Sequence, residues 1–349
     1  MASLEKINYQ PRRAEISDGS LQWSALKRKP IKNLPQIVWE DNSTWAEANL
    51  WALDQATSSK RDLKTVRSNM SHLLAYAKWL EAESVQWWHF PERESERCLV
   101  RFRGALVAAR NSGDLAPSTA SQRMAAVIRF YKWMQVRRLI SPEWPMWEQR
   151  FVGIKLTNPF GFEHTMQVAS TDLAIPNRKV AGAIQLEDGL LPVSISAMKE
   201  ILVLADCNAT EELSLMLRLG FFSGLRIGSI TDLKVQTLHN ATIVPEVGWK
   251  RLEVGPGARP PVSTKFSASG SVPIPEELLE SLISYSMSTR RLKRQMLANP
   301  EDQDLLFLTR YGNPYNGDDS RAVNVEMSRL RSAGKKVCLL YTSLSGLAR

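Results

Sequence analysis

Apolar residues recur at spacings of three and four through much of the first half of the chain, the period of helices that bury one face. In TVRSNMSHLLAYAKWLEAE (65–83), Met70, Leu73, Leu74, Ala77 and Leu80 form such a stripe. ERCLVRFRGALVAARNSG predicts a second helix, with Gly113 as its stop signal. LAPSTASQRMAAVIRFYKWMQVRRLI (115–140) predicts a third. Pro117 with Ser118 or Thr119 suits its start, and Met124, Val127, Ile128, Tyr131 and Met134 make its apolar face. Trp79, Trp87, Trp88 and Trp133 fall close to these faces and read as core rather than as base-stacking platforms.

The pattern changes on either side of this zone. Residues 1–42 carry scattered charges, several prolines and KRKPIKNLP, which predicts an irregular arm. SPEWPMWEQR closes the helical unit, 43–150, and residues 151–186 show no sustained period, so they read as a linker. From 187 the periods mix. ISAMKEILVLADC is amphipathic, and residues 211–235 look helical with a break near Ser223-Gly224. RLEV, PVSTKF and GSVPIP read as short strands. EELLESLISYSMSTRRLKRQML predicts a helix, LLFLT leads into a Tyr-Gly-Asn-Pro turn, and VNVEMSRLRSAG predicts a last helix. The expectation is an α+β domain behind an all-α one.

Composition narrows the classes. A chain of 349 residues with 44% hydrophobic and 23% charged residues suits two globular domains. It has no apolar run long enough to cross a bilayer. Cys98, Cys207 and Cys338 stand too far apart for a disulfide framework or a metal knuckle, so a reducing, cytoplasmic setting is the default. The net charge is +9, and Arg101–Arg150 holds nine Lys/Arg against three Asp/Glu. Charge so localised points to a polyanion, nucleic acid above all, with a merely solvated basic face as the alternative. On the third helix, Arg123, Arg129, Lys132, Arg137 and Arg138 flank the apolar stripe and are the candidate DNA-binding residues.

FFSGLRIGSITDLKV (221–235) places a single cation, Arg226, inside an apolar context. Its partner is either a carboxylate of this chain, Asp232 being the nearest downstream, or a phosphate. The patterns "T…Y…WL" and "T…R…IRFYKWM…LI", then a linker, then "GLRIGSI…L", resemble the tyrosine recombinases, or phage-type integrases, over roughly residues 50–335. That resemblance implies a mainly α core-binding domain (a SAM-like helical bundle) followed by an α+β catalytic domain over 187–336. It also implies double-stranded DNA as partner, homo-multimers on paired sites, and no cofactor. Arg226 matches the family's first catalytic arginine. Lys265, in VSTKFSASGSVPIP, matches its β-hairpin lysine, although an ordinary solvated turn lysine remains an alternative.

The chemistry explains the residue types. A tyrosine hydroxyl attacks a phosphodiester, leaving a 3′-phosphotyrosyl link and a free 5′-hydroxyl. Arginines neutralise the non-bridging oxygens bidentately, and a lysine protonates the leaving oxygen. The sequence departs from the family in two places. Ser229 stands where an acidic residue is common. None of His72, His89, His164 and His239 has an arginine three positions on, so neither the His-x-x-Arg pair nor the nucleophile can be placed. CLLYTS (338–343) resembles the translation of a transposon mosaic end used in sequencing libraries. Residues 337–349 are therefore expected to be a non-native tail, the gene to be interrupted near Lys336, and Tyr341 not to be a nucleophile. The expected function is that of a site-specific recombinase lacking part of its catalytic set. A DNA-binding accessory protein and a type IB topoisomerase-like enzyme are the competing readings.

Overall fold

The computed structural model describes residues 1–17, 20–27, 30–58, 62–157, 163–177, 193–244, 249–315 and 321–333. The expected tail at 337–349 lies outside them. The chain combines helices with small antiparallel sheets and divides into two compact units, Met1–Lys179 and Val180–Arg349.

The first unit is built on helices α1 (Ala46–Thr57), α2 (Leu63–Ala82), α3 (Cys98–Asn111) and α4 (Pro117–Val136). Asp62 caps α2, its carboxylate accepting the Lys64 amide at 3.0 Å, and Pro117 opens α4 where a missing N–H costs nothing. Gly113, at φ +87°, ends the third-helix approach as its lack of a Cβ allows. The predicted stripes point inward: Met70, Leu73, Ala77 and Leu80 pack with Met124, Val127, Tyr131 and Met134 in one core around the fully buried Trp45 and Phe130. Each buried Met, Leu, Val or Phe among them contributes about 1.5–3 kcal/mol over leaving it in water. Trp88 departs from the core expectation, being 55% exposed, with its ring edge-on to Trp87.

The arm expected to be irregular is stranded. β1 (Ser3–Tyr9) pairs antiparallel with β4 (Ile31–Val38), and between them β2 (Arg12–Ser17) pairs with β3 (Ser20–Ala25) as a separate ribbon. β4 buries Leu34 and Ile37 against α1 and α2, and Asn49 both donates to and accepts from the Ile37 backbone. The pairing Ser3↔Val38 joins distant residues, and the alternation is interrupted by charges and Pro35, which hides it from a local reading. The expected linker is also partly ordered. β5 (Gln149–Thr157) and β6 (Glu163–Thr171) form a hairpin, after which Leu173 and Ile175 enter the core of the first unit. This unit is therefore mixed rather than all-α.

In the second unit, α5 (Ile195–Asn208) and α6 (Glu211–Ser223) pack with α11 (Arg321–Ala333), burying Ile201, Leu202, Leu213, Leu217 and Leu330. The short helices α7 (Ile227–Ile230) and α8 (Val235–His239) follow. The sheet runs β7 (Thr242–Val244), β8 (Trp249–Val254), β9 (Gly270–Pro275), all antiparallel. PVSTKF, expected as a strand, is loop; its one strand-like tie is the reciprocal pair of backbone bonds between Val262 and Gly255, each 3.1 Å. The long helix expected after Pro275 is two, α9 (Glu276–Ser286) and α10 (Thr289–Leu297), because extended Ser288 caps the second, accepting the Arg291 amide.

Candidate nucleic-acid interface and catalytic cations

In the first unit, α4 turns its polar side outward. Arg129, Lys132, Arg137 and Arg138 are exposed and Arg123 is half-buried. They are not equivalent. Arg137 is held by the Asp54 carboxylate at 2.6 Å, which also accepts the Trp133 indole N–H at 2.9 Å. Arg129 donates to the Asn69 side chain at 2.9 Å, and Asn69 in turn donates to Gln55. Arg138 sits just past the helix end at φ +55°, where the chain turns away. His72, on α2, is half-buried. Burial first, then the charges of Arg123 and Arg129, hold its imidazole below the usual range, against a supporting hydrogen bond with Gln122.

In the second unit, the local sequence fixes where Arg226 stands. Gly224, at φ +67°, closes α6 with its amide on the Gly220 carbonyl, as a left-handed C-cap residue does. Arg226 then takes an extended conformation and caps α7, its carbonyl accepting the Ser229 and Ile230 amides at 2.9 and 3.0 Å. Its side chain is half-buried, and Ser229, at the family's acidic position, is buried. The nearby carboxylate, Asp232, accepts the Ser263 amide at 2.6 Å and the Lys234 ammonium at 2.9 Å. Lys234 also donates to the Pro261 carbonyl at 2.9 Å.

Those bonds connect the two candidate cations' segments. The β8–β9 loop is anchored at Pro261 and Ser263, while Lys265, two positions on, is exposed with its Nζ 5.3 Å from the Phe266 ring centroid. Phe266 and Ser267 adopt φ of +61° and +53°, and Phe266 is 90% exposed. The loop closes tightly on Gly255, where a Cβ would come within 2.5 Å of the Ala268 carbonyl. The structure thus joins the roots of the two segments rather than Arg226 and Lys265 themselves.

The second unit also holds a polar cluster that the sequence reading missed. Glu212 is fully buried and receives Arg290 bidentately at 2.7 and 3.0 Å, Arg294 at 2.9 Å and the Tyr285 hydroxyl at 3.0 Å. Burial pushes its carboxyl up, but Arg290 and Arg294 outweigh that and hold it below the usual range. Arg294 also donates to the Leu308 carbonyl, and Arg291 to those of Gln303 and Leu305. Burial drives the Tyr285 and Tyr315 hydroxyls well up, so both stay protonated. The available signal was TRRLKRQ itself, a helix whose arginines outnumber the apolar residues it could bury.

Among the described residues, no group of three or more His, Cys, Asp or Glu could hold a metal ion, and no helix is long and apolar enough to cross a membrane. The chain matches no protein-family profile, and no curated protein matches it.

Proposed function

We propose that the chain is a site-specific DNA recombinase of the tyrosine type, a SAM-like helical core-binding region followed by the recombinase catalytic domain, with part of its catalytic set missing. The observation that carries the reading is the Gly224–Leu225–Arg226 turn between α6 and α7, whose following carboxylate, Asp232, roots the loop bearing Lys265. In the proposed mechanism Arg226 is one arm of a clamp on the scissile phosphate, neutralising the charge that builds on its non-bridging oxygens. Lys265 is the proton donor to the leaving 5′-oxygen, and its exposed loop tip lets it reach a duplex that lies outside the protein surface. The outward cations of α4 hold the backbone of the duplex.

Without a His-x-x-Arg sequence the chain binds duplex DNA but forms no covalent link to it. The test is a binding isotherm across salt concentrations, joined to a denaturing gel for covalent adducts. Affinity should fall steeply as salt rises, with no adduct. Salt-independent binding would overturn the nucleic-acid reading, and an adduct would overturn the missing nucleophile. A DNA-binding accessory role is the second reading, favoured by the same absence of His-x-x-Arg.

A further inference from the structure

Residues 255–269 join β8 to β9 and carry two cations, Arg259 and Lys265, and no carboxylate. At the tip of this loop stands Phe266, whose ring is 90% exposed beside the Lys265 ammonium. We propose that Phe266 is a DNA-contacting residue, an apolar wedge that the loop presents to a base step of the duplex whose phosphates its cations attract.

This rests on the DNA-binding reading and adds to it a contact made with bases rather than phosphates. Phe266 and Ser267 both adopt left-handed φ, +61° and +53°, a costly backbone for two successive residues that carry a Cβ. The chain around them is bonded so as to keep it. The Thr264 hydroxyl donates to the Ala268 carbonyl at 2.5 Å and the Ser267 amide to the Thr264 carbonyl at 3.2 Å, which closes the turn. On one side of the turn the Ser263 amide is held by Asp232. On the other, the Ser269 hydroxyl accepts the Gly257 amide at 3.0 Å. A ring displayed in this way is kept off the apolar surface of its own sheet, so its burial requires a partner. The charge beside it selects that partner. An ammonium 5.3 Å from the ring centroid suits a polyanion that also has apolar surface to offer, and duplex DNA has both, phosphates outside and base faces within. Insertion at a base step buries the ring against the bases, and the adjacent lysine is carried toward the backbone.

The experiment measures the affinity of the full chain for a short random-sequence DNA duplex across salt concentrations, for wild type, Phe266→Ala, Phe266→Trp and Lys265→Ala. Phe266→Ala should bind about tenfold more weakly with the salt slope of the wild type, because the lost contact releases no counterion. Phe266→Trp should keep the affinity, and Lys265→Ala should lower the slope by about 0.9. Since the ring is already in water, Phe266→Ala should melt with the wild type, so that weaker binding is not lost folding. Unchanged affinity in Phe266→Ala overturns the wedge while the DNA reading stands. A lowered slope in that variant makes the ring a support for Lys265 and also overturns the wedge. A wild type without salt-dependent binding overturns both readings. A duplex carrying a fluorescent adenine analogue, bright when unstacked, should brighten on binding wild type; an equal rise with Phe266→Ala overturns the wedge.

Discussion

Two helices rich in arginine, α4 and α10, use that residue in opposite ways. α4 buries Met124, Val127, Phe130 and Tyr131 and turns Arg129 and Lys132 outward. α10 buries Arg291 and Arg294, 3% and 8% exposed, and leaves Met296 and Leu297 at 84% and 66%. The cause is what each helix packs against. α4 meets the apolar faces of its neighbours. α10 meets Glu212 and the backbone carbonyls of Gln303, Leu305 and Leu308, which accept hydrogen bonds from Arg291 and Arg294. A cation on a helix is thus a surface charge in one case and an internal connector in the other, and only the first kind is available to a polyanion.

The sharpest way to break the contrast is to remove the internal anion. Glu212→Ala leaves Arg290 and Arg294 beside an empty site and should cost about 3–5 kcal/mol in chemical denaturation; a loss like that of a surface change would erase the distinction. Acid should act on the same group more gradually. Because the folded carboxyl is held below its unfolded value near 4.5, its contribution is present above that pH and lost as pH falls through the folded value. Stability of Glu212→Gln should therefore fall less steeply below pH 5 than that of the wild type. On α4, Lys132→Ala should change stability by less than about 0.5 kcal/mol. The same change should lower the salt slope of DNA binding by about 0.9 if Lys132 meets one phosphate, an unchanged slope removing it from the interface. The smallest effect belongs to Met296→Gln, expected within about 0.5 kcal/mol of wild type because the side chain is already in water.

Legibility in the sequence followed the range of the interactions. The α2 and α4 stripes could be read because a helix shows its buried face within a few turns, and the α6 break could be read because Gly224 marks it. β1 and β4 could not, since neither strand buries a full face and each depends on a partner about thirty residues away. The order around Leu173 and Ile175 was hidden in the same way, by turn residues that resemble a tether. At the candidate site, Arg226 and Lys265 rest on motif resemblance alone. His72 and Glu212 carry no motif, and their surroundings come from residues on other helices.

Asp232 gives the Lys265 loop a fixed base. One carboxylate grips both the Ser263 amide and Lys234, so the root cannot shift without disturbing the segment that follows α7. The tip is closed on itself: the Thr264 hydroxyl donates to the Ala268 carbonyl at 2.5 Å and the Ser267 amide to the Thr264 carbonyl at 3.2 Å, which leaves Phe266 almost wholly in solvent beside Lys265. A ligand that reaches Lys265 therefore meets an ammonium carried on a closed turn whose base is bonded to the segment after α7.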